Sequence, residues 1–256
     1  MRWILNNVPT VPLGVVIIAA SVVFSLVILA WVRRRGAHAF MDNDALGVLF
    51  TVIGIVYGIM LAFAIVDLWT SFGAARETIS AEAGALAQVT VDIRPLAQAD
   101  RHAVEASIAT YVRTVVTEER MAMRNGRESE AAHTALDAVA FTLERAQPVT
   151  PAQQAWYSEA VTKLNEVVTA RRTRLEAAEG GMPLPFELLL FLGAVIPIGF
   201  MTLVNVPHRA ITTAMVVATA ALVGYGLFLV VILNFPFSGT VTVSFEPFRA
   251  GVLGRL

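Results

Sequence analysis

The residues of this sequence that could do chemistry are few and far apart. His38, His102, His133 and His208 share no i,i+3 or i,i+4 spacing, and there is no cysteine. Without thiols there are no disulfides, no thiol catalysis and no cysteine-based zinc or iron–sulfur site. No His-Glu-x-x-His pair, phosphate-binding glycine loop, Gly-x-Ser-x-Gly elbow or dinucleotide fingerprint occurs, so hydrolysis and phosphate chemistry have no motif to stand on. No catalytic residue, metal or cofactor is expected. A formal net charge of −1 offers no basic surplus for nucleic acid.

The charges worth following are of another kind. Asp67 lies in a long apolar stretch, and an acid inside a membrane span is by default a functional candidate. Its position within a turn of the end of that stretch fits an interfacial anchor, a pore mouth or an ion-pair partner. Trp69 beside it fits an interfacial aromatic belt. Arg171, Arg172 and Arg174 form the densest basic patch of the middle of the chain. They suit an anion vestibule, lipid head groups, or pairing with Glu77, Glu82 or Glu176. Glu118-Glu119-Arg120 reads as part of a solvated face.

These charges must be positioned by an apolar framework. Charged residues make up 15% of the chain against about 25% in ordinary soluble domains, and the mean hydropathy is +0.66. Pro12 to Val32 carries no charge and is followed at once by Arg33, Arg34 and Arg35. That run is long enough to cross a hydrocarbon core of roughly 30 Å. Ala37-His38-Ala39 has the form of a signal-peptide cleavage site, but the apolar run is too long and the arginines lie on its wrong side. Further spans run from about Ala45 to Thr70, from Phe186 to Val206 with an interruption at Pro197, and from Ala210 to Phe235. Only Pro207, His208 and Arg209 clearly separate the last two. Backbone groups in lipid must be paired within their own segment, so each span is expected to be a helix.

The expected fold is therefore an all-α membrane protein, with four transmembrane helices in two pairs around a helical extramembrane domain. Residues 1–70 hold the first pair, 71–183 the domain, 184–235 the second pair and 236–256 a tail. Arg33–Arg35 and Arg209 fall in loops on the same face, and the positive-inside tendency makes that face cytoplasmic. The domain would then be periplasmic, in a multi-pass protein of a bacterial inner membrane.

Within the domain the apolar residues recur at helical spacing, as in Ile79, Leu86, Val89, Ile93 and in Ile108, Tyr111, Val112, Val115, Val116. Arg94-Pro95 ends the first helix and Asn125-Gly126 the second. A third spans about Glu128 to Ala146. The fourth starts with Thr150 as N-cap, Pro151 at the first position and Gln153 closing a capping box, and it ends at Gly180-Gly181. No breaker separates the second span from the first domain helix, so one helix from about Leu46 to Ile93 is expected. In the second span Gly47, Thr51, Gly54, Gly58 and Ala62 fall within about 80° on a helical wheel. Such a ridge of small residues lets helices approach closely, within one subunit or between two. Asp67 lies opposite it, on the face of Leu49, Val56, Met60 and Phe63. After the fourth span, Asn234 to Gly239 stops the helix, and the apolar tail up to Pro247-Phe248 is expected to dock on the protein or at the membrane surface.

Several of these pieces together resemble the bestrophin-like domain family of bacterial and plant membrane proteins, long of unknown function. They are Leu61-Ala62-Phe63 with Trp69, Ala75 with Glu82-Ala83, Arg171 with Arg174-Leu175, and Pro236-Phe237-Ser238-Gly239 leading to Pro247-Phe248. The likeness runs from about Asp44 nearly to the end, and the tail motif is its most specific part. The resemblance implies distant kinship to bestrophins, which are oligomeric anion channels. No run matches a bestrophin neck, so the class carries over and the pore residues do not. The expectation is a homo-oligomeric ion channel or pore-forming protein, with the lipid bilayer and inorganic ions as partners and anions favoured through the resemblance. The alternative is a non-conducting, membrane-anchored sensor or assembly factor whose helical domain binds a partner. A membrane enzyme assembled from dispersed residues has the least support.

Overall fold

The structure, a computed structural model, describes residues 1–35, 43–204 and 208–256. Ala37-His38-Ala39 and Pro207 lie outside these residues. The chain forms two compact units. One comprises Met1, residues 3–70 and 181–234; the other comprises Arg2, residues 71–180 and 235–256. No strand occurs among the described residues.

A short helix α1 (Arg2–Asn7), not expected from the sequence, precedes α2 (Thr10–Arg35). Helix α3 runs unbroken over Asn43–Asp92, 50 residues, or roughly 75 Å at the α-helical rise. The expected fusion of the second span with the first domain helix is therefore present. The third apolar stretch is two helices, α8 (Leu184–Gly193) and α9 (Val195–Leu203). The break at Ala194 has a direct cause. Pro197 has no N–H to donate, and its ring crowds the carbonyl four residues earlier, that of Gly193. Helix α10 covers Arg209–Leu233. Among the described residues, four segments are long and apolar enough to cross a membrane.

Within the first unit α2 and α10 approach closely, because small residues face each other. A Cβ added at Gly224 would stand 2.8 Å from Ser21 Oγ and 3.2 Å from the Cα of Ile18, and one at Gly14 would stand 3.0 Å from the Phe228 ring. Arg33 donates to the Arg209 carbonyl at 3.3 Å and to Thr213 Oγ1 at 3.1 Å. The two basic segments therefore share one end of this unit. Tyr57 of α3 donates to the Leu190 carbonyl of α8 at 3.2 Å. Asn234 accepts from Met182 N and donates to Glu187, each at 2.6 Å.

The second unit has one apolar core. It is built by α3 from Ala75 to Asp92, by α4 (Gln98–Thr114), α5 (Arg120–Met123), α6 (Glu130–Glu144) and α7 (Pro151–Glu179), and by the tail. Helix α7 starts with the capping box that the sequence announces: Thr150 Oγ1 accepts from Gln153 N, and Gln153 Oε1 accepts from Thr150 N. Ser129 caps α6. Between α4 and α5, Val115–Glu119 form a π-helical turn that periodicity does not reveal. The tail docks on the domain. Phe237, Val243, Phe245, Phe248 and Leu253 are all buried in the core, and Ser238 donates to the Arg124 carbonyl at 2.8 Å. Gly239, at φ 83°, makes the left-handed turn that lets the chain fold back.

Candidate functional site

Three apolar stripes of the second unit each carry charged residues at core positions. On α3, Glu82 stands three residues after Ile79 and four before Leu86; on α7, Arg171 and Arg174 lie between Val167 and Ala178; after α4, Glu119 follows Val115 and Val116. Their side chains meet. Arg174 is fully buried. Its Nε and Nη2 donate to the two oxygens of Glu82 at 2.6 and 3.1 Å, its Nη2 to Glu119 at 2.6 Å, and its Nη1 to Met123 Sδ at 2.8 Å. Arg171 donates to the other oxygen of Glu119 at 2.5 Å, and Tyr111 Oη to Glu82 at 2.6 Å. The Phe245 ring of the tail lies 5.8 Å from the Arg174 guanidinium. Two guanidinium groups thus face two carboxylates with no net charge and almost no exposure to solvent.

Burial by itself pushes the Arg174 guanidinium down, but Glu82 and Glu119 outweigh it and hold the group above the ordinary arginine value. Burial, and next the Glu82 carboxylate, push Tyr111 well above the usual phenol value. Tyr111 is therefore a neutral donor to a charged acceptor. This cluster ties α3, α4, the π-helical turn, α5 and α7 together. One donor is left over. Arg171 Nε is buried and has no acceptor, which costs about 1–3 kcal/mol for a group of this kind.

The structure corrects one expectation directly. Glu118 and Arg120 are exposed, but Glu119 is fully buried and is the hub of the network. The stripe that the sequence shows at Val115 and Val116 continues to Glu119, so spacing contains the signal while residue type conceals it. Of the expected partners, Glu82 holds Arg174. Glu176 pairs with Arg172 at 3.0 Å on the surface. Glu77 lines a groove between α3 and α7 with Ala74, Thr78, Thr169 and Thr173. Arg171 and Arg174 present almost no surface to solvent.

In the first unit the sequence-marked residues of α3 are open. An added Cβ at Gly47, Gly54 or Gly58 would meet nothing within 4 Å, and Thr51, Gly58 and Ala62 are exposed. Asp67 is exposed, with no ion-pair partner among the described residues. The chain's own contacts fall on a third face, where Leu46, Tyr57 and Leu68 are buried. Pointing away from that face are Ile55, Ile59 and Phe63, exposed to 56%, 53% and 72%. Asp67 is the next step of the same i,i+4 series. The sequence names Asp67 and Phe63, but it cannot show which side of α3 the chain itself covers.

No group of histidine, aspartate and glutamate residues suited to a metal occurs among the described residues. The fold is similar to crystal structures of a bacterial bestrophin homologue from Klebsiella pneumoniae. One is 14% identical, with a TM-score of 0.68 over 91% of this chain and 93% of that one. Another, of the same homologue, is 16% identical, with a TM-score of 0.66 over the same shares. A crystal structure described as a membrane protein is 15% identical, with a TM-score of 0.68 over 91% of this chain and 93% of that one. No curated protein matches the sequence. The family model of the bestrophin-like domain matches residues 15–248, and the chain belongs to that family of membrane proteins.

Proposed function

We propose that the protein is the subunit of a homo-oligomeric ion channel in a bacterial inner membrane. The observation that carries the proposal is the openness of α3. In its apolar segment only 6% of the residues are buried, against 50% for the α10 segment. Lipid accounts for exposed valine and isoleucine, and a place at the interface for an aspartate at the end of the span, but an open ridge of small residues and an acid in line with the apolar series call for a common explanation. A ring of copies accounts for both. The small-residue ridge at Gly47, Gly54 and Gly58 packs against a neighbouring copy. The face turned away from the chain's own contacts then lines an axis, with Ile55, Ile59 and Phe63 as an apolar constriction and Asp67 at its mouth.

The sign of the permeant ion follows from which charges remain free. Kinship to bestrophins favours anions. Arg171 and Arg174, the residues suited to an anion vestibule, are neutralised by Glu82 and Glu119. The charge left facing outward in the series is the carboxylate of Asp67, so the geometry favours cations. The basic segments at Arg33–Arg35 and Arg209 support a cytoplasmic position for that end of the first unit and a periplasmic domain.

Electrical recording of purified protein in a planar bilayer with asymmetric KCl tests conduction and sign together. The expected result is a reversal potential displaced toward the potassium equilibrium value. A silent bilayer with folded protein defeats the channel reading in favour of the membrane-anchored sensor.

A further inference from the structure

We propose that the first unit carries a binding site for an anionic phospholipid at the end where α2 stops and α10 begins; the site stands whether or not the protein conducts. Four guanidinium groups gather there. Arg33, Arg34 and Arg35 close α2, and Arg209 opens α10. Arg33 joins the two helices through the Arg209 carbonyl and Thr213 Oγ1. Both bonds leave from its Nη2. Nε and Nη1 of a guanidinium already held in place are therefore open to an acceptor. Arg34, Arg35 and Arg209 are exposed, and none has an ion-pair partner among the described residues. Phe50 packs against Leu29 and Val216, which brings the first turn of α3 to the same end. Its acid, Asp44, already has a partner. The positive charge of this end is thus accessible and largely unmatched within the chain.

The neighbouring side chains decide the other half of the ligand. On α2 the exposed Val27 and Trp31 lead to Arg34 at i, i+4 and i+7, so apolar surface and charge share one face of the helix. On α10 the exposed Ile211 and Met215 stand just inside Arg209. The Arg35 guanidinium lies 4.6 Å from the centre of the Trp31 ring, which fixes the pair at the border between apolar and charged surface. A surface of this kind takes a molecule with an anionic head and apolar chains. A phosphate offers the two oxygens that match a guanidinium edge, and acyl chains cover the valine, isoleucine and tryptophan below it. Free phosphate leaves that apolar surface uncovered. A zwitterionic phospholipid brings its own cation against the arginines.

Thermal unfolding of the full chain in uncharged detergent micelles tests this. Phosphatidylglycerol, phosphatidylcholine and inorganic phosphate are added separately at equal ionic strength. Phosphatidylglycerol raises the midpoint saturably, while phosphatidylcholine and inorganic phosphate do not. Arg34→Gln and Arg209→Gln change exposed side chains that hold no ion pair, so the fold is kept. Each weakens the phosphatidylglycerol response about fivefold, the effect of one arginine near an anionic surface. Arg249→Gln, at an exposed position of the tail, leaves the response at the wild-type level. No saturable shift with phosphatidylglycerol in wild-type protein overturns the proposal. So does an equal shift with phosphatidylcholine or inorganic phosphate, an unchanged response in Arg34→Gln and Arg209→Gln, or a loss in Arg249→Gln as large as in Arg209→Gln.

Discussion

Arg174 and Glu82 lie 92 residues apart in the chain and are joined by two hydrogen bonds, Nε to Oε2 at 2.6 Å and Nη2 to Oε1 at 3.1 Å, with neither residue exposed to solvent. A pair of this kind stabilises less than its short distances suggest, because desolvating both charges offsets most of their attraction. Its disruption is another matter. Glu82→Gln leaves Arg174 buried with only Glu119 to balance it, while Arg171 still competes for the same carboxylate. We expect a loss of about 3–5 kcal/mol, as for other broken buried pairs. Replacing Arg174 and Glu82 together with apolar residues of similar volume should recover part of that loss. Denaturant titration of the two variants checks it, and equal destabilisation would sink the pair as the cause.

Tyr111 gives the network a pH signature whose sign is fixed. Its folded value lies well above the ordinary phenol value of 10.0, so the folded state holds the proton more tightly than the unfolded chain does. The stability this contributes is fully present below about pH 10 and is lost as pH rises above it, because the unfolded chain then ionises first. Tyr111→Phe removes one donor to Glu82 and should cost about 1–2 kcal/mol at neutral pH. The gap in melting temperature between wild type and Tyr111→Phe should be constant from pH 7 to about 9.5, then shrink toward pH 11. A gap that widens there contradicts the assignment.

Helices were legible in this sequence wherever one physical requirement acted alone. Thr150 and Gln153 announce the start of α7 because a helix N-terminus needs acceptors for its free N–H groups, and both bonds are present. The continuity of α3 followed from the absence of any breaker between Ala45 and Ile93. The network was only half legible. Glu82, Arg171 and Arg174 stand out in the sequence as candidates, but Glu119 reads as part of a solvated face, because a run of three charged residues ordinarily lies in water. Its burial depends on two partners more than fifty residues away on α7, Arg171 and Arg174, and one-dimensional spacing does not carry that information. The openness of the ridge on α3 was equally hidden. A stripe of small residues looks the same whether a helix of the same chain covers it or not.

The two kinds of glycine in the first unit should respond in opposite ways. Gly224→Leu places a side chain against Ser21 and the backbone of Ile18. It should destabilise the folded chain by about 1–3 kcal/mol, the usual cost of overpacking. At Gly58 an added Cβ meets nothing within 4 Å among the described residues. The subunit should therefore fold as before while its assembly is lost. Light scattering with size exclusion in detergent reads the mass, and thermal unfolding reads the fold. A Gly58→Leu protein with wild-type mass means that the ridge faces lipid.

Asp67 tests permeation most directly. It continues the series Ile55, Ile59 and Phe63, is exposed, and has no ion-pair partner among the described residues. Asp67→Asn therefore removes a charge without breaking a pair, and stability should stay within about 0.5 kcal/mol, as for other surface substitutions. A carboxylate at a pore mouth raises the local concentration of cations, and this effect fades once the Debye length shortens from about 30 Å at 0.01 M salt to about 3 Å at 1 M. Asp67→Asn should then lower potassium conductance several-fold at low salt and leave it nearly unchanged at high salt. The reversal potential in asymmetric KCl should move toward zero. Phe63→Ala, one turn earlier, should raise conductance at every salt concentration, because it widens an apolar constriction and carries no charge. The two variants separate the contributions of field and width. If Asp67→Asn reduces conductance equally at low and high salt, the aspartate acts through structure, and its role as a cation-attracting mouth is lost. If chloride carries the current in wild type, the geometric argument for cations fails, while the channel reading itself survives.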